Sequence, residues 1–391
     1  MDVNYKILIG LILILTLFVN TAQAQEYGLL WSYKTGFWVK EVAISSDGSY
    51  IAAGSDDKVY LFDREGNLLW SYETGDSVFS VAISSDGSYI VAGSCDDKVY
   101  LFDREGNLLW SYETGDSVFS VAISSDGSYI VARNNNKVYL FDRKGNLLWS
   151  YETGNWVNSV AISSDGSYIA AGSINKVYLF DRKGSLLWSY ETRIDGVDLV
   201  SISSDGSYIA AGTGSWDYKV YLFDREGSLL WNKSCGWVES VAISSDGSYI
   251  AAGNRYGKVF LFDREGNLLW SYKTGGGVFV SISSDGSYIA AGSRDDKVYL
   301  FDREGNLLWS YETGGIVESV SISSDGSCIA AGSWDDKVYL FASMQVIFAS
   351  VQVIIENVKE AISSERGKGY NVKEAESLLS QAEQAFSAGD Y

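Results

Sequence analysis

The chain has 391 residues, 46% of them apolar and 14% aromatic, with 40 Gly, no Pro and no His. Its formal net charge of −20 repels phosphate backbones and argues against a nucleic-acid partner. The lack of His removes the commonest general base and the commonest zinc ligand.

Residues 1–24 read as a secretory leader. Lys6 supplies the positive n-region, Ile7 to Val19 the apolar run, and Ala22-Gln23-Ala24 the small-x-small cleavage site. The run is shorter than the ~20 residues of a span, so no stable membrane span is expected after cleavage. An exported location follows: extracellular, on the cell surface or in a periplasm-like space. Cys95, Cys235 and Cys328 are odd in number and sit at non-equivalent repeat positions, which fits scattered substitutions better than a disulfide framework.

Internal repetition dominates everything after the leader. Ile-Ser-Ser-Asp-Gly occurs eight times, its Asp at Asp47, Asp86, Asp126, Asp165, Asp205, Asp246, Asp285 and Asp325. A strand-forming period near 40 indicates propeller blades. Each unit parses into four strands, A to D. In the first unit A ends at Val42-Ala43-Ile44-Ser45, and Asp47-Gly48 turns the chain. B is Tyr50-Ile51-Ala52-Ala53, C is Lys58-Val59-Tyr60-Leu61-Phe62, and a second Asp-then-Gly turn leads into D, Leu68-Leu69-Trp70-Ser71-Tyr72. The first D-like segment, Leu29-Leu30-Trp31-Ser32-Tyr33, precedes every A strand, and the last unit lacks its D strand. The spacing therefore predicts an all-β, eight-bladed propeller over residues 28–341, closed by the N-terminal strand.

After Phe341 the repeat stops. Val346, Val351, Ile354, Ile355, Val358 and Ile362 recur at near-helical spacing, Gly367-Lys368-Gly369 breaks the pattern, and Asn371 caps a second apolar stripe through Val372, Ala375, Leu378, Leu379, Ala382 and Phe386, with Gly389 at its end. Residues 343–391 are expected to form a helical hairpin.

The unit Val42-Ala43-Ile44 through Tyr60-Leu61-Phe62-Asp63 resembles the WD-repeat pattern, without its Gly-His dipeptide and with Phe62 in place of the Trp of Trp-Asp. The segment Asp63-Arg64-Glu65-Gly66-Asn67-Leu68-Leu69-Trp70 resembles the tryptophan-docking motif of quinoprotein-type eight-bladed propellers, one residue shorter between Asp and Gly. The tail is similar to helical extensions on archaeal surface proteins. The resemblance implies the fold; unrelated functions share it. A quinoprotein-like oxidoreductase would need a bound quinone, a calcium site and a catalytic Asp, and often carries adjacent cysteines. This chain has no adjacent cysteines, and its Asp residues recur in every blade, whereas one reaction centre should break the repeat. No enzyme activity and no cofactor are expected.

Trp31, Trp70, Trp110, Trp149, Trp188, Trp231, Trp270 and Trp309 recur in strand D and are expected to pack between blades. Asp56-Asp57, with Asp96-Asp97, Asp295-Asp296 and Asp335-Asp336, match no calcium loop and are expected to form a solvated acidic rim.

The A–B and C–D turns barely vary, whereas the B–C and D–A loops, which share one face of a propeller, differ strongly. The remaining tryptophans, Trp38, Trp156, Trp216, Trp237 and Trp334, lie in those loops, as do Arg133, Arg193, Arg255 and Arg294. Trp38, Trp156 and Trp237 share one position just before strand A. These nine residues form the candidate binding face, for a protein or polysaccharide, with the acidic rim favouring cationic partners. The leading function is a non-catalytic extracytoplasmic binding or scaffold propeller. The alternatives are a quinoprotein-like oxidoreductase and a structural cell-envelope component attached through the helical tail.

Overall fold

The structure is a computed structural model, and it describes residues 27–192, 196–214, 216–368 and 372–388. The leader expected over residues 1–24 lies outside the described residues, as do Arg193, Asn371 and Gly389.

Among the described residues, thirty-two strands form eight four-stranded antiparallel sheets. The first blade runs Glu41–Ile44 (A), Tyr50–Gly54 (B), Lys58–Asp63 (C) and Leu68–Glu73 (D), each strand paired with the next. Six later blades repeat the order A-B-C-D. The eighth takes A, B and C from Val317–Ile322, Cys328–Ser333 and Lys337–Ser343, and its D strand from Tyr27–Lys34 at the other end of the chain. The closure expected from strand counting is the one observed, and it leaves no half-built sheet.

The sequence explains each element. Strand C is apolar on both sides because both sides are covered: Val59, Leu61 and Phe62 are buried, as are their counterparts in the other blades. Strand B carries Ala52 and Ala53, small enough for the next blade's A strand to press against it. In the A–B turn Asp47 Oδ1 accepts from the Ser45 hydroxyl at 2.8 Å and the Ser49 N–H at 2.9 Å, a side-chain turn seen again at Asp86 and the other repeat aspartates. In the C–D turn Asp63 Oδ1 accepts from the Asn67 N–H at 2.8 Å. Gly66 there has φ of +88°, and a Cβ on it would lie 2.7 Å from the Trp31 ring, so both backbone and space demand glycine.

That contact is the blade-to-blade dock. Trp31 Nε1 donates to the Arg64 carbonyl at 2.9 Å, Trp70 to Arg104 at 2.9 Å, Trp110 to Arg143 at 2.9 Å, and so on to Trp270 and Arg303. The same arginines reach inward. Arg104 Nη2 donates to the Asp86 carbonyl at 2.5 Å, and its guanidinium lies 4.5 Å from the Tyr50 ring of the preceding blade. The recurring tryptophans are inter-blade packing, as their periodicity predicts.

One closed hoop and one interrupted series of hydrogen bonds surround the central channel. Toward the A–B face, the N–H of Ser46 donates to the Ser85 carbonyl, Ser85 to Ser125, and the chain continues through Ser164, Ser204, Ser245, Ser284 and Ser324 back to Ser46, every link 2.9 Å. Toward the other face, the N–H of Val42 donates to Ser319 Oγ at 2.9 Å, Val121 to Ser80 at 3.0 Å, and Val160 to Ser120 at 3.3 Å.

Contacts divide the chain into two compact units, Trp31–Leu340 and the remainder. In the second unit α1 (Met344–Gly367) buries Ile347, Val351, Ile355, Val358 and Ile362, and α2 (Lys373–Ala388) buries Ala375 and Leu379. The helices face each other, with Lys359 Nζ 2.9 Å from Glu383 and Arg366 paired with Glu376. Among the described residues no helix is long and apolar enough to cross a membrane.

Candidate functional site at the channel mouth

The B–C and D–A loops meet at one end of the channel: Thr35 donates to the Asp336 carbonyl at 2.8 Å and Gly75 to Asp96 Oδ2 at 3.0 Å. A β-bulge decides what reaches the mouth. In strand A the register slips between Val78 and Ser80, Val157 and Ser159, Val197 and Leu199, Val238 and Ser240, and Val317 and Ser319. Each slip leaves one extra residue, namely Phe79, Asn158, Asp198, Glu239 and Glu318, re-aimed out of the ladder. The seventh blade is one residue shorter and has no slip; Phe279 pairs in register with Gly292. Lys40 and Phe119 precede the A strands of the first and third blades.

These side chains and the variable loops build two unlike sectors. Over the eighth to third blades, Trp38 stacks on Trp334 with centroids 4.6 Å apart and planes 3° from parallel. Lys40 Nζ lies 5.2 Å from the Trp38 ring and 5.3 Å from Phe79. Phe79 meets Phe119 edge-on at 5.2 Å, and the Arg133 guanidinium sits 5.0 Å from Phe119. A cavity of about 320 Å³ opens beside Phe37, Trp38, Lys40, Asp56 and Asp336.

Over the fifth to eighth blades the sector is acidic. Arg294 bridges Glu239 at 3.3 Å and Glu318 at 3.2 Å, above the Phe279 ring. Glu318 also accepts from Trp334 Nε1 at 3.1 Å. Arg255 stacks 4.5 Å from Trp237. Burial pushes the Asp198 carboxyl up to about 6, against a backbone hydrogen bond from Gly214. Burial also raises the Glu239 carboxyl, with Arg294 and Arg255 pulling it back.

Below the mouth, Glu41 stands where most blades carry the serine of the interrupted series. It accepts from the Val81 N–H at 2.8 Å. Burial pushes its carboxyl up to about 7, partly offset by hydrogen bonds from Ser80 and Val81.

The tryptophans and arginines singled out in the sequence fall into groups. Trp38 with Trp334, Trp237 with Arg255, and Arg294 with two bulge carboxylates are brought together. Trp156 and Trp216, 63% and 73% exposed, have no ring partner among the described residues. Trp216 sits at φ of 73°, in the left-handed region. Arg133 ends strand B (Tyr129–Arg133) rather than lying in a loop. The expected solvated rim needs correction. Asp96, Asp295 and Asp335 turn inward, accepting the hydroxyls of Tyr100, Tyr299 and Tyr339 and the N–H groups of Gly75, Gly275 and Gly314. The first carboxylate of each of these pairs braces a D–A loop against the next blade. The bulge residues were missed by sequence reasoning, although their column varies more than any other in the repeat. Cys95, Cys235 and Cys328 are free thiols, and burial pushes Cys235 up to about 12. No group of three or more acidic or Cys side chains among the described residues could hold a metal ion.

The family model described as outer membrane protein assembly factor BamB matches residues 22–116, 55–198 and 216–358. The model of the WD domain, G-beta repeat, matches residues 185–224. No curated protein matches the chain. Among solved structures, Sqt1 from Chaetomium thermophilum bound to the N-terminus of the ribosomal protein L10 is similar at 18% identity and a TM-score of 0.70, over 80% of this chain and 98% of that one. A second crystal structure of Sqt1 is similar at the same identity and score, over 82% and 100%. Identity that low speaks for the fold alone.

Proposed function

The chain belongs to the family of repeats described as outer membrane protein assembly factor BamB, and from that premise we propose that it is a non-catalytic propeller that binds a protein partner outside the cytoplasm through the face formed by its B–C and D–A loops. One observation carries this reading. Eight blades with nearly identical frameworks gather their differences at one channel mouth, as aromatic and charged side chains left in reach of solvent: Phe37 is 57% exposed, Trp38 48% and Trp156 63%. Aromatic side chains there offer large contact area at low entropic cost. The similar Sqt1 propeller is bound to a segment of another protein, which supports protein docking as a use of this fold. Membership of a family named for outer-membrane protein assembly supports an extracytoplasmic setting.

The test compares wild type with the triple variant Trp38→Ala, Trp156→Ala, Trp237→Ala. The triple variant is expected to lose association with native envelope components while melting close to wild type. Retained association, or a melting loss as large as that of Trp110→Ala, would overturn the assignment of this face.

A further inference from the structure

Arg133 is the residue of the mouth that the fold does least to explain. In the other seven blades its position is Gly54, Gly93, Gly172, Gly212, Gly253, Gly292 and Gly332. A Cβ on any of those glycines would come within 2.2–2.8 Å of a Val in the following blade. The framework therefore selects against a side chain there, yet the third blade carries the longest cationic one.

Its surroundings do not compensate the charge. Nη2 donates to the Asn158 carbonyl at 3.0 Å, and the guanidinium stacks on Phe119. Nε is buried without a partner. No described carboxylate pairs with it, in a chain with a net charge of −20. Burial alone pulls its pKa down to about 10. A half-enclosed guanidinium with no counter-charge is unfavourable unless something else supplies that charge. Lys40 stands on the same aromatic run, over Phe79, and likewise has no ion-pair partner among the described residues. Phe79 and Phe119 form an apolar floor between the two cations.

We infer that the sector formed by Lys40, Phe79, Phe119 and Arg133 is a subsite for a carboxylate carried next to an apolar side chain on a polypeptide, the carboxylate meeting Arg133, the side chain lying on the two phenylalanines, and Lys40 adding positive charge at the far end of that floor. The inference rests on the reading of this face as the binding surface and names the partner's chemistry there. It opposes the expectation, drawn from net charge, of cationic partners: the acidic sector across the mouth repels a carboxylate and so fixes its orientation. A guanidinium also matches a carboxylate with two parallel hydrogen bonds.

Two peptides carry the chemistry from its two sources: acetyl-Ala-Ala-Phe with a free terminal carboxylate, and acetyl-Ala-Phe-Asp-amide with a side-chain carboxylate. Acetyl-Ala-Ala-Phe-amide and acetyl-Ala-Phe-Asn-amide are their neutral counterparts. Titrated into the full chain by calorimetry, at least one acidic peptide should bind roughly tenfold or more tightly than its neutral counterpart, the difference expected of a charged hydrogen-bonded pair. Which acidic peptide binds decides between a chain terminus and an Asp or Glu side chain. Arg133→Gly restores the residue of the other seven blades, so folding is not at risk. It should abolish the preference and raise the melting temperature of the free protein, because an uncompensated charge has been removed. Equal binding of acidic and neutral peptides, no binding of either, or a lower melting temperature for Arg133→Gly would overturn the subsite. The Trp38, Trp156 and Trp237 triple variant keeps Arg133, so loss of partner association there with carboxylate preference intact separates the two proposals.

Discussion

The backbone N–H of Ser324 donates to the carbonyl of Ser46 at 2.9 Å, joining residues near opposite ends of the repeat array. The bond is the eighth link of a closed hoop and has the same length as the other seven. The ring thus closes at its inner edge without visible distortion, and the exchanged strand Tyr27–Lys34 closes it at the outer edge.

The outer closure is open to a direct test. Deleting residues 28–36 removes the strand that pairs with Lys337–Ser343. An unpaired edge in a β-protein recruits other chains. Light scattering should show oligomers or aggregates at concentrations where the full chain stays monodisperse. A monodisperse deletion variant with unchanged melting temperature would show that the exchanged strand is dispensable.

Packing and mouth tryptophans should separate in stability. Trp110 donates to the Arg143 carbonyl and covers Gly145, so Trp110→Ala should destabilise by ~3–5 kcal/mol in denaturant titration. Trp156 is 63% exposed, and Trp156→Ala should stay within about 0.5 kcal/mol of wild type. Equal losses would mean that the mouth tryptophans are also structural.

Stability should depend on pH through Glu41. Its folded-state pKa of about 7 lies above the ordinary value of 4.5, so the folded chain holds the proton more tightly than the unfolded one. The resulting stabilisation is full below about pH 4.5 and is lost as pH rises through 7, by up to roughly 3 kcal/mol. Asp198, raised to about 6, acts in the same direction. Wild type should therefore melt lower at pH 8 than at pH 5, and Glu41→Ser, which restores the serine of the interrupted series, should show a shallower slope. An identical slope in the variant would exclude Glu41 as the titrating group.

Much of this architecture could be read from the chain because its signals are local and repeated eight times. Asp47-Gly48 specifies a turn by its own side chain and backbone, the run Val59 to Phe62 specifies a strand covered on both faces, and Leu29 to Tyr33 is recognisable as a D strand out of place. The mouth was less legible for a physical reason. Strand alternation assigns side chains to one face or the other, but a bulge inserts a residue and resets that alternation, so Phe79, Asp198, Glu239 and Glu318 read as ordinary strand positions. The seventh blade's missing residue was visible as a shortened Val278-Phe279-Val280 segment, yet its meaning requires the pairing of Phe279 with Gly292. Arg133 was visible as a break in the repeat. That it lacks a counter-charge is a property of three dimensions.

The hoop of serine links and the exchanged strand have a consequence for how such a gene can change. Each unit hands one identical bond to the next, and the joint blade draws one strand from the start of the array and three from its end. Recombination that deletes or duplicates an internal unit leaves both parts of the joint in place. The product keeps both ends of the joint, and a ring closed from it would have a different number of blades and a channel of different bore, so the width of the mouth can change separately from the residues that line it.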